Sequence, residues 1–166
     1  MAKSTDRPVL YSEAERRRRD ASPWTLVQGI LAPIQFAIFL VSLGLVLRTL
    51  ATGEGAALAN ASVVAKTIAL YAIMVTGSLW EKDVFGRYLF APAFAREDAV
   101  SMVVLALHTA YLAALATGAL GTAALMLLAL AAYAAYLVNA AQFLLKLRAA
   151  RAERPSGSAG LVGAAR

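Results

Sequence analysis

The chain has 166 residues, no cysteine, a formal charge of +6 and 60% hydrophobic residues, with a mean hydropathy of +0.65. The missing cysteine excludes disulfides, thiolate nucleophiles and cysteine-bound metals, and such hydropathy is uncommon in a soluble domain. The positive charge is gathered at segment ends: Lys3, Arg7 and Arg16–Arg19 precede the first apolar run, and Lys146, Arg148, Arg151 and Arg154 follow the last. That is a pattern of membrane topology and attraction to anionic lipid, and no nucleic-acid-binding motif accompanies it.

The charged N-terminal segment 1–22 is expected to be mobile over 1–20, with a short interfacial helix from Glu13 onward as the other reading. SPWT (Ser22–Thr25) then reads as a helix start, with Ser22 as N-cap, Pro23 in the first turn and Trp24 at the interface. Four apolar runs follow at Val27–Leu47, Leu58–Leu79, Ala99–Thr117 and Leu120–Leu145, each near the length of about 20 residues that crosses the hydrocarbon core. The first is too long for the apolar part of a signal peptide, and no small-residue cleavage site follows it. Lys and Arg number six before the first span, one in the first loop, three in the second, none in the third and five in the tail. This alternation predicts an all-α, polytopic four-helix transmembrane bundle with both termini and residues 80–98 in the cytoplasm. The membrane domain is expected over 23–148, with a Pro/Gly/Ser-containing, flexible tail over 149–166.

Polar residues inside the spans are few. Gln28, Gln35 and Ser42 recur every seven residues, a drift of only about 20° per step, so they share one helix face. Because an amide in lipid is costly, that face points inward, either as interhelical glue or as the wall of a polar pocket. The long stem of Lys66 is expected to carry its ammonium to the interface, with a ligand carboxylate, a polar network or proton transfer as the other readings. His108, the only histidine, shares a sector of the third span with Glu97, Ser101 and Tyr111. It suits packing, axial ligation of a metallotetrapyrrole or proton transfer, and it stands about 16 Å along the helix from Glu97. In the fourth span Tyr136, Asn139 and Gln142 lie on one side.

The connection TGSLWEKDVFGRYLFAPAFAREDAVS (76–101) is far richer than a linker requires. Trp80, Phe85, Tyr88, Phe90 and Phe94 make an aromatic belt, bracketed by Glu81, Asp83, Glu97 and Asp98, with Lys82, Arg87 and Arg96 among them. Gly86 and Pro92 suggest a folded surface or re-entrant segment. Interfacial anchoring accounts for much of this. Four carboxylates at one membrane face also allow an acid–base pair, since a carboxyl against aromatics holds its proton while a solvated one ionises.

RRRRDASPWTLVQGILAPIQFAIFLVSLGLVLRTL (16–50), TGSLWEKDVFGRYLFAPAFAREDAVSMVVLALHTAYLAA (76–114) and YLVNAAQFLLKLRAAR (136–151) resemble the 3-vinyl (bacterio)chlorophyllide hydratase family of anoxygenic phototrophic bacteria. The resemblance covers about residues 13–151. It implies a multi-pass inner-membrane lyase of bacteriochlorophyll a biosynthesis that adds water to the 3-vinyl group of a magnesium chlorin or bacteriochlorin, giving a 3-(1-hydroxyethyl) group. It implies no resident cofactor, since the magnesium belongs to the substrate. Its expected partners are pigment, membrane lipid and neighbouring enzymes of the same pathway, and no nucleic acid.

The chemistry then assigns roles. Glu81 or Glu97 protonates the terminal vinyl carbon, and Asp83 or Asp98 orients or deprotonates the water. His108 ligates the magnesium or shuttles the proton. Gln35 and Asn139 position water or the ring keto group, Tyr111 lines the substrate, and Lys82, Arg87 or Arg96 meets the free propionate. The main alternative is a non-catalytic chlorin-binding or assembly protein. Solute transport is weaker, because the spans hold few charges and no discontinuous-helix signal.

Overall fold

A computed structural model describes residues 10–152. A capping box opens the first helix, α1 (Glu13–Ala21): Glu15 N–H donates to the Ser12 hydroxyl, and the Glu15 carboxylate accepts from Ser12 N–H. Helix α2 (Pro23–Thr52) starts at Pro23, with Ser22 in the N-cap position. The Ser22 hydroxyl does not cap the helix. It donates instead to Asp83 Oδ2 at 2.8 Å, tying the start of α2 to the end of α3 (Ala56–Phe85). Helices α4 (Ala95–Thr117) and α5 (Thr122–Ala152) complete the chain. The expected domain ends at 1–9 and 153–166 lie outside the described residues, whereas 149–152 continue α5.

All four predicted spans are single helices long and apolar enough to cross a membrane. Helix α2 continues through Pro33, whose ring deprives the Gly29 carbonyl of its helical donor. The connection expected over 80–98 is shorter than predicted. Residues 80–85 prolong α3 and 95–98 open α4, because no helix breaker intervenes before Gly86. There the chain turns left-handed, φ +78°, and the Gly86 N–H closes α3 on the Lys82 carbonyl. Glu97 and Asp98 thereby occupy the first turn of α4, where the helix dipole favours acids.

Helices α2 and α3 pack as one antiparallel hairpin and α4 and α5 as another. The hairpins meet through α2 against α5 and α3 against α4, while α1 leans on α3. Phe39, Val46, Val63, Val104, Met126 and Tyr133 fill the shared core. Outside it the usual pattern inverts: Leu26, Val41, Ile68, Val75, Leu127 and Leu145 are exposed, while Gln35, Ser42, Lys66, Ser101 and His108 are buried. Apolar outside with polar groups sequestered within is the arrangement lipid imposes.

Hydrogen bonds knit this interior. Gln28 donates to Thr76 Oγ1 at 2.6 Å, and Ser42 links to both Ser62 and Tyr133, so two members of the seven-residue seam act as glue. Thr49 extends the same spacing and is buried too. Tyr133→Phe removes the bond to Ser42 while keeping the ring edge-on to Phe39. The expected loss is about 0.6 kcal/mol and no more than about 1.7, measured by detergent unfolding. A larger loss would assign Tyr133 more than a pairwise bond.

A second, aromatic cluster closes one end of the bundle: Tyr11, Val84 and Phe94, with Trp80, Phe85 and Phe143 packed on them. The predicted belt is therefore only partly a cluster, since Tyr88 is 57% and Phe90 44% exposed. Both follow Gly86, where the backbone has left the helix and points their rings away from the packed face.

Candidate functional site

Beneath the aromatic cap, three of the four predicted carboxyls are buried together. Glu81, near the end of α3, and Asp98, in the first turn of α4, are electrostatic neighbours. Two carboxyls buried side by side favour keeping one of them protonated. The segment 86–94 is folded down onto the pair. Phe90 N–H donates to Asp98 Oδ2 at 2.7 Å and Ala91 N–H to Glu81 Oε2 at 3.2 Å. Phe90 is held at φ +57°, a left-handed conformation that costs a non-glycine residue roughly 1–2 kcal/mol, and these two contacts offset it.

Glu97 is paired separately, accepting from Lys146 Nζ at 2.5 Å. The Lys146 ammonium also lies over the Phe94 ring, 4.6 Å from its centroid. Asp83 does not join the group. It is exposed and accepts from Ser22 on the α2 side of α3, because two residues along a helix turn a side chain by about 200° from Glu81. Lys82, Arg87 and Arg96 are also exposed. Lys82 donates to the Gly86 carbonyl and faces the Tyr88 ring at 5.1 Å.

Deeper in the bundle, Asn139 donates to Ser101 at 2.8 Å. Its Oδ1, with Gln142 Oε1, Gln35 Nε2, Lys66 Nζ and His108 Nε2, is buried without a protein partner. Each of the four spans thus contributes an unsatisfied polar atom to the interior, the kind of cost a protein bears where something polar must be met. His108 is fully buried, and its Nδ1 lies 2.8 Å from the Val104 carbonyl. Only Nδ1–H can donate there, which leaves Nε2 as a lone pair facing the bundle interior. Tyr111 shares the buried face of α4, as the spacing predicts, but its hydroxyl is committed to Asn60 at 2.7 Å.

Lys66 departs from the expectation. It is 0% exposed, and its ammonium sits 3.7 Å from the Tyr136 ring centroid rather than at the interface. The ring face gives a cation a partner inside the bundle, which snorkelling had seemed to require from water. Asn60, Ser62 and Tyr11 carried no periodic or compositional signal. Thr49 did, as the next step of the Gln28–Gln35–Ser42 series.

A four-span bundle with buried carboxyls at one end and an imidazole nitrogen in its interior defines the class: a multi-pass helical membrane protein. The chain belongs to the 2-vinyl bacteriochlorophyllide hydratase (BCHF) family, whose model matches residues 11–149. It is 64% identical over 142 residues to the 2-vinyl bacteriochlorophyllide hydratase of Cereibacter sphaeroides, covering 86% of this chain and 88% of that one. Against the protein of the same description from Rhodobacter capsulatus it is 60% identical over 154 residues, covering 93% of this chain and 90% of the other. The 2-vinyl of these descriptions and the 3-vinyl of the sequence resemblance are one family's substrate group. No solved structure matches the chain.

Proposed function

We propose that this chain hydrates the vinyl group of a magnesium (bacterio)chlorophyllide to a 1-hydroxyethyl group, with Glu81 as proton donor, Asp98 as its partner base and His108 as axial ligand to the substrate's magnesium. Membership of the hydratase family carries the reaction. The observation that supports the residue roles is the burial of Glu81 and Asp98 together under the 86–94 segment, each held by one of its backbone N–H groups. Asp98 has the shorter backbone donor, 2.7 against 3.2 Å, which favours charge on Asp98 and the proton on Glu81. Glu97, charge-paired with Lys146, is a poor donor and serves to fix the site's electrostatics.

The proton passes from Glu81 to the terminal vinyl carbon, leaving cationic character on the carbon attached to the macrocycle. The two carboxylates now present stabilise that charge. Water adds at the cationic carbon and returns a proton to the pair, so vinyl plus water becomes hydroxyethyl and the acid is restored. Asp98 and His108 are separated by about 15 Å of helix rise, so the macrocycle stands along the helices with its vinyl edge toward the carboxyl pair. Its propionate then meets the bases Lys82, Arg87 and Arg96 at the surface.

The Lys/Arg alternation supports a cytoplasmic side for both termini and residues 80–98. The hydratase unit is residues 23–148, with 1–22 and 149–166 flanking it.

The test is this chain expressed alone in a non-photosynthetic bacterium, its membranes given 3-vinyl bacteriochlorophyllide in heavy-oxygen water. The expected product gains one labelled water and keeps its magnesium. Unchanged pigment retained by folded protein, beside an active control hydratase, would instead favour a binding or assembly role.

A further inference from the structure

We propose that Lys66 selects the pigment by its ring carbonyl, donating a hydrogen bond to the keto oxygen of the five-membered ring fused to the macrocycle. This rests on the substrate reading above and adds a specificity residue to it. Lys66 is 0% exposed in the middle of α3, and its Nζ has no hydrogen-bond partner in the protein. The ion pairs among the described residues are Arg19–Asp20 and Lys146–Glu97, so no carboxylate accounts for a lysine at this depth. The Tyr136 ring covers one side of the ammonium at 3.7 Å, whereas an ammonium carries three donors. A purely structural lysine would also hydrogen-bond across to another helix, and this ammonium has no hydrogen-bond partner.

Its position matches one edge of the substrate. Lys66 is an electrostatic neighbour of His108, and the rings beside the two residues, Tyr136 and Tyr133, occupy successive turns of α5. Lys66 is therefore a close neighbour of the proposed magnesium ligand, its backbone little more than one helical turn deeper in the bundle. Along α3 it lies about 22 Å from Glu81, on the side of His108 away from the surface. In a bacteriochlorophyllide the keto-bearing ring is fused to the pyrrole opposite the vinyl-bearing one, and the propionate hangs from a pyrrole next to the latter. A macrocycle that brings its vinyl group to Glu81 and Asp98 sends its keto oxygen, on the opposite edge, deep into the bundle. A neutral, conjugated carbonyl also suits this depth better than a carboxylate would.

The readout is the keto stretching band of bound magnesium chlorophyllide a in resonance Raman spectra, using the full chain in lipid nanodiscs. Binding to wild type is expected to lower that band, and Lys66→Met to return it to its unbonded position. Wild type is expected to prefer this pigment about tenfold or more over the derivative whose keto group is reduced to methylene, as for a charge-assisted hydrogen bond. Lys66→Met should erase the preference, and Lys66→Arg, which keeps a donor, should retain part of it. If Lys66→Met does not fold, the wild-type band shift and preference decide. Bound, hydrated pigment with an unshifted keto band, or a preference equal in wild type and variant, overturns the role of Lys66 alone. Failure of wild type to bind either pigment overturns the substrate reading as well.

Discussion

Glu81→Gln lowers hydration turnover by about 10²–10⁴-fold while pigment stays bound, the range expected when a positioned general acid is lost. Glutamine is the informative replacement because it preserves the scaffold. Its carbonyl oxygen still accepts from Ala91 N–H, so the hydrogen bond seen at Glu81 persists, and its amide is a donor that a neighbouring Asp98 carboxylate can take up. Only the transferable proton disappears. If Glu81 merely held the 86–94 segment in place, Glu81→Gln would retain nearly full turnover. Asp98→Asn should show a comparable fall, since the pair acts as a unit and its members are not additive. Asp83→Asn is the control at the same membrane face: an exposed carboxylate bonded to Ser22 should cost no more than about threefold. The assay is labelled-water incorporation, with pigment retention measured on the same membranes. An Asp83→Asn loss as deep as that of Glu81→Gln would remove the basis for choosing between the carboxylates.

That choice was beyond the sequence, although the architecture was not. Four apolar runs and SPWT at the start of α2 were legible because each has a local cause: burial length and a proline-compatible first turn. The seam Gln28–Gln35–Ser42 and the α4 face Glu97–Ser101–His108–Tyr111 were legible because helical period fixes which residues share a side. Which carboxyl meets which was not. Glu81 and Asp98 are partners only because the 86–94 segment reverses direction with Phe90 left-handed, a conformation that phenylalanine does not announce. The inward turn of Lys66 likewise depends on Tyr136, a residue on another helix and 70 positions away.

The proposed ligation of magnesium by His108 sets the depth of the pigment. His108→Ala is expected to weaken retention of magnesium pigment by at least about 10–100-fold, the loss seen when even an outer partner of a metal ligand is removed. The absorption spectrum of residual bound pigment should move toward that of weakly ligated magnesium. Alanine leaves room for an imidazole beside Val104, so added imidazole should restore both retention and spectrum. Loss of a ligand that holds substrate and transition state equally raises KM and leaves kcat little changed. A proton-shuttling His108 predicts the opposite, with pigment bound as before, spectrum unmoved and kcat collapsed. The free Nε2, with Nδ1–H committed to the Val104 carbonyl, favours the ligand. It has the lone pair that a magnesium ion takes up, and it stands too far from Glu81 and Asp98 to reach their proton without an intervening macrocycle or water. Unchanged spectrum and unchanged retention in His108→Ala would take the magnesium away from His108, and with it the reason for standing the macrocycle along the helices.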